Sequence, residues 1–187
     1  MVALTALWLP ILLSAVLVFL ASAVAHMVLT YHRTDYARLP QEDAVLDALR
    51  AAKIPPGAYA FPYADSMKEM GSPEMLAKQE RGPVGLLGVR PNGPPAMGKS
   101  LALWFVYCLL VGLFAAYLAG RTLGPGADYL TVFRITGTVA FLGYVGGELV
   151  DLIWKGQSAS NTLKGAFDGL VFALLTAGAF GWLWPAA

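Results

Sequence analysis

The residues best suited to chemistry in this chain are the ionisable ones that interrupt its apolar stretches. Glu148 and Asp151 are three apart, so on a helix they share a face. Asp168 follows in the next apolar stretch, and a hairpin of the two stretches brings it to a similar depth. His26, near the end of the first stretch, reaches the same level. Oxygen-rich clusters of this kind bind hard cations or relay protons. Glu148, Asp151, Asp168 and His26 are therefore the candidate ion or proton site. The competing reading is a structural polar network closed by Lys155 and Lys164. Asp151–Lys155 and Lys164–Asp168 are acid–base pairs four residues apart, each an ion pair of about 0.2–0.5 kcal/mol. The structural reading is preferred. Glu148 has no such neighbour. Only 13 residues separate Arg134 from Glu148, roughly 20 Å of helix against a ~30 Å hydrocarbon core. Unless the bilayer thins, one of the two enters the apolar zone. A lipid phosphate or a carboxylate of another subunit would satisfy Arg134.

Three other patterns invite chemistry and are set aside. Gly93-Pro94-Pro95-Ala96-Met97-Gly98-Lys99-Ser100 has the spacing of a phosphate-binding loop. Such a loop holds phosphate with backbone N–H groups, which Pro94 and Pro95 lack, and an uncharged apolar run follows it. No nucleotide is expected, and Lys99 reads as an interfacial anchor. Met67, Met70, Met75 and Met97 could suggest Cu(I), but no Cys or His stands beside them, so they read as packing or contact residues. His26 and His32 are six apart, on different faces of one helix, which excludes a haem held by both within one chain. No cofactor, resident metal or nucleophile–base pair is expected, and the chain is read as not an enzyme.

The elements that must position these residues are membrane spans. The chain has 187 residues, 57% hydrophobic and 13% charged, against about 25% charged in soluble domains. One cysteine, Cys108, excludes an intrachain disulfide framework, and a net charge of +1 gives no reason to expect nucleic acid. Spans are expected at about 10–31, 100–120, 129–154 and 163–184. The first is read as retained, not cleaved, because no basic residue precedes it and its apolar run is too long for a signal peptide. Residues 33–98 form a neutral loop with short helices expected at about 41–52 and 73–80 and a short strand at 84–89. Ser72 would cap the second helix, with Pro73 at its first position. A loop this rich in Pro and Gly should pack on the membrane domain or a partner.

Small residues recur every four positions: Gly165, Gly169, Ala173, Ala177 and Gly181 in the fourth span, Gly143 and Gly147 in the third, Gly112, Ala116 and Gly120 in the second. They allow close helix approach, within the chain or against another subunit. Arg33, Arg38, Lys99, Lys155 and Lys164 flank one side of the spans, against Arg121 on the other, so the first side is expected to be cytoplasmic. Both termini are then periplasmic. Trp8, Trp182 and Trp184 would mark one interface, Trp104 and Trp154 the other.

Ser66-Met67-Lys68-Glu69-Met70-Gly71, Gly93 to Lys99, Asp168-Gly169-Leu170, Thr176-Ala177-Gly178 and Trp182-Leu183-Trp184-Pro185 resemble a family of bacterial integral membrane proteins without an assigned activity. The resemblance covers most of the chain and implies a bacterial membrane protein, with no functional residue carried over. The expectation is an all-α polytopic membrane protein of the bacterial inner membrane. It is a single domain, a four-helix bundle with a long, mostly irregular cytoplasmic loop between its first two spans. It reads as a non-catalytic accessory or scaffold subunit whose partners are the bilayer and other membrane subunits or copies of itself. The alternative is a small proton or cation transporter using the carboxylate cluster.

Overall fold

Long apolar runs form the four longest helices of this chain, and polar side chains cap the starts of two of them, those that begin at Tyr129 and Ala159. The computed structural model describes residues 1–187. Helix α1 spans Trp8–Ala23, led by a 3₁₀ turn at Leu4–Leu7 and followed by a π-helical turn at Val24–Val28. Pro10 sits in the first turn of α1, where its missing N–H is not needed. Helices α2 (Glu42–Ala51), α3 (Met67–Met70) and α4 (Pro73–Arg81) and strands β1 (Gly57–Phe61) and β2 (Gly85–Val89) follow. The chain then forms α5 (Met97–Thr122), α6 (Tyr129–Lys155) and α7 (Ala159–Trp182). Four helical segments, Leu4–Val28, α5, α6 and α7, are long and apolar enough to cross a membrane.

The chain divides into two compact units, Met1–Tyr36 with Ala96–Ala187, and Ala37–Pro95. In the larger unit α1 packs on α5, α5 on α6, α6 on α7 and α7 back on α1, a closed ring of four helices. Asp128 caps α6 by accepting from the Thr131 N–H at 3.0 Å, and Ser158 caps α7 by accepting from the Asn161 N–H at 3.1 Å. Gly156, at φ +69°, ends α6 with a bond from the Gln157 N–H to the Asp151 carbonyl, a left-handed stop that favours glycine.

The small-residue ladder of α7 is filled by α6. A Cβ on Gly169 would lie 2.5 Å from Val145 Cγ2, one on Gly181 2.6 Å from the Tyr129 ring, and one on Gly165 2.6 Å from the Glu148 carboxyl carbon. Gly137 faces Ala177, and Ala173 is buried with Val111 and Ala140. Gly112 and Gly120 of α5 face Ser14 and the Val2 carbonyl, and Gly143 faces Val111. Gly147 is open: a side chain there would meet nothing within 4 Å, so it does not pack within the chain. The tryptophans differ in their contacts. Trp8, Trp154 and Trp182 are exposed, but Trp104 turns inward and donates to Ser22 Oγ at 2.8 Å, and Trp184 donates to the Gly124 carbonyl at 3.0 Å.

Residues 37–95 hold more regular structure than a mostly irregular loop. β1 and β2 pair antiparallel, Gly57 opposite Val89 and Phe61 opposite Gly85. β1 and the single turn α3 are not among the expected elements, although Ser66 marks the start of α3 by accepting from the Glu69 N–H at 3.1 Å. Ser72 caps α4, accepting from the Met75 N–H at 3.2 Å, with Pro73 first. Met75 is buried in this unit and Met67 and Met70 are exposed. In the larger unit, Lys99 lies in the first turn of α5.

Candidate functional site

The first span does not run as one α-helix to Tyr31. After α1 the backbone widens into the π turn, becomes extended at Leu29, and coils again as a 3₁₀ turn over Tyr31–Thr34. That reversal carries Tyr31, His32, Thr34 and Asp35 against the start of α7, within the larger unit. Asp168, buried on α7, accepts from the Tyr31 hydroxyl through Oδ1, and its Oδ2 is 2.7 Å from His32 Nε2. His32 Nδ1 is 2.6 Å from Asp35 Oδ2. Asp35 Oδ1 accepts from Lys164 Nζ at 2.7 Å, and the same ammonium donates to Thr34 Oγ1 at 2.8 Å. Asn161 Nδ2 donates to the Asp35 backbone carbonyl at 2.9 Å, which ties the turn to the first coil of α7.

The result is an alternating row, Tyr31, Asp168, His32, Asp35, Lys164, in which each carboxylate has a donor on both oxygens. Burial disfavours the charged form of His32, but the hydrogen bonds and negative charge of Asp35 and Asp168 outweigh it and raise the imidazole pKa. The Lys164 ammonium holds the Asp35 carboxyl below the usual carboxylate range against the opposing effect of burial, and His32 adds to the lowering. Burial and the bond to Asp168 push the Tyr31 hydroxyl up to about 12. With His32 protonated, two anions meet two cations in a mostly buried setting.

The four residues singled out from the sequence therefore separate. Asp168 is the centre of the row. His26 lies beside it, its ring centroid 4.2 Å from that of His32. Glu148 stands apart, accepting from Gln157 Nε2 at 2.8 Å across the turn between α6 and α7. Asp151 forms the expected pair with Lys155 at 2.6 Å. The expected Lys164–Asp168 pair does not form. Each finds a partner from the 31–35 turn instead, because a partly buried, charge-assisted bond to another element exceeds the few tenths of a kcal/mol of an exposed pair along one helix. The placing of His26 and His32 on different faces is likewise overturned, because the helix ends between them. Arg134 is exposed on α6 and makes no ion pair within the chain.

Tyr31, His32 and Asp35 were missed as site residues. The signal that points to them is the polar run Thr30 to Asp35 directly after the apolar stretch, which a helix extended to Tyr31 conceals. A ring nitrogen of His26, one of His32 and a carboxylate oxygen of Asp168 all lie within 4.8 Å of one another. The chain matches no protein-family model, no curated protein and no solved structure, so the site is read from its geometry alone.

Proposed function

We propose that this chain is a multi-pass protein of the bacterial inner membrane that serves as a non-catalytic accessory or scaffold subunit of a larger assembly. In this reading both termini are periplasmic, and the 33–98 segment and the Asp168 row are cytoplasmic. The observation that carries it is the buried apolar layer of Val2, Leu7, Ala115, Ala116, Val132 and Phe180 at the end of the bundle opposite the Asp168 row. An ion leaving the row would have to cross that layer without polar partners, at a cost of several kcal/mol. A lipid phosphate or a partner's carboxylate is the proposed mate for Arg134. Purification of tagged protein in mild detergent, followed by mass spectrometry of stoichiometric companions, tests this reading. Companion membrane subunits are expected. A monodisperse monomer or a pure homo-oligomer from native membranes would overturn it.

The runner-up, a small proton or cation transporter, draws on the buried Asp168 bonded to His32. It requires an ion flux from wild-type protein in proteoliposomes that Asp168→Asn abolishes while the protein still inserts. The absence of wild-type flux across the pH range would remove it.

A further inference from the structure

We propose that His26, His32 and Asp168 form a binding site for a divalent first-row transition metal, of which Zn²⁺ is the best match. Two imidazoles and one carboxylate are the borderline nitrogen and oxygen donors that zinc takes, with water completing a tetrahedron. Their candidate ligand atoms already lie within 4.8 Å of one another. Around zinc, donors at 2.0–2.2 Å sit about 3.3 Å apart, so side-chain rotation closes the gap. His26 is free to supply it: the ring is exposed, sits in the π turn and makes no hydrogen bond to the protein.

The surroundings match what a metal site needs outside its ligands. A metal-bound histidine almost always donates its other ring N–H to a carboxylate or carbonyl, which fixes its orientation. His32 Nδ1 already faces Asp35 at 2.6 Å, and Asp35 is held by Lys164 at 2.7 Å. The second oxygen of Asp168 is fixed by the Tyr31 hydroxyl. The metal takes the place of the proton between His32 Nε2 and Asp168 Oδ2, and that proton leaves to solvent. Asp35 and Tyr31 are positioning residues and do not touch the metal. This inference does not depend on the subunit role proposed above.

The test uses the full chain in mild detergent, stripped with chelator and titrated with Zn²⁺ by calorimetry, with Co²⁺ absorption reporting the ligand field. One Zn²⁺ per chain is expected. Asp35→Asn should weaken binding about 10–100-fold. His26→Ala and Asp168→Asn should weaken it further and change the Co²⁺ spectrum, and Glu148→Gln should bind like wild type. His26→Ala removes an exposed ring without hydrogen bonds, so its elution profile should stay that of wild type, which separates ligand loss from misfolding. No stoichiometric Zn²⁺ uptake by wild type, or wild-type affinity in folded His26→Ala, would overturn the proposal.

Discussion

Asp168 is the one charged residue on the buried face of α7, among alanine, glycine, phenylalanine and threonine, and it is tolerated because both of its oxygens have partners in Tyr31 and His32. Asp168→Ala leaves Tyr31 and His32 without their acceptor next to Asp35, and losing one member of a buried charged pair costs about 3–5 kcal/mol. The thermal midpoint in detergent should fall markedly for Asp168→Ala, and an unchanged midpoint would show that the row carries no stability. The pKa directions also set a pH window for the metal-free protein. His32 is raised above its ordinary 6.5, so its stabilisation is complete below that value and is lost as pH rises through the folded-state pKa. Asp35 is lowered below 3.8, so its contribution is complete above 3.8 and is lost as pH falls through its folded value. Thermal scans with chelator present should therefore show the row's contribution greatest between pH 3.8 and 6.5. In His32→Gln, which removes the imidazole bonded to Asp35 and Asp168, the decline above pH 6.5 should flatten.

Helix contacts in this bundle depend on a missing side chain at particular positions. Gly169 lies against Val145 and the Tyr144 backbone, so a branched side chain there pushes α7 off α6. Gly169→Val should lower stability by about 1–3 kcal/mol, as overpacking of a filled core does. Gly147→Ala meets nothing and removes the helix penalty of glycine, so it should leave the isolated protein unchanged or up to about 1 kcal/mol more stable. Paired thermal denaturation of the two variants reads the contrast directly. Similar losses in both would mean that the α6–α7 contact is not set by this register. If Gly147→Ala is stable alone but loses stoichiometric companions on purification, the open glycine of α6 is where another helix packs.

Four antiparallel helices put Val2, the 122–128 turn and Pro185 at one end of the larger unit, tied by bonds from the Val2 N–H to the Gly120 carbonyl and from the Gly126 N–H to the Pro185 carbonyl, both 2.8 Å. The turn between α6 and α7 is at the other end. In the orientation proposed above, a cysteine at position 125 should react with an impermeant thiol reagent from the periplasm, and one at position 160 only from the cytoplasm, in a Cys108→Ser background. The reverse pattern would invert the proposed orientation, and labelling of both from one side would remove the spanning arrangement. Cys108 is buried, so its replacement serves only to silence background.

The existence and approximate ends of the long helices are legible in the sequence, because length, hydropathy and capping residues act locally. Asp128, Ser158 and Ser72 each cap a helix from within three residues of it. The four-residue ladder of α7 is also visible in the chain alone, although its partner is not: a small residue specifies closeness without specifying to what. Asp168 and His26 stand out from composition because ionisable groups are costly in apolar runs. Their company was decided only in three dimensions. An α-helix carried on to Tyr31 separates His26 from His32, whereas the π turn and the extended Leu29 bring their rings to 4.2 Å. Lys164 and Asp168 pair in the one-dimensional pattern, yet the folded turn at Tyr31–Asp35 offers each a more buried and better-bonded partner. Local spacing governs which groups sit on one helix face, but the free energy of a charged group depends on burial and on every donor that surrounds it, and only the packed bundle determines those.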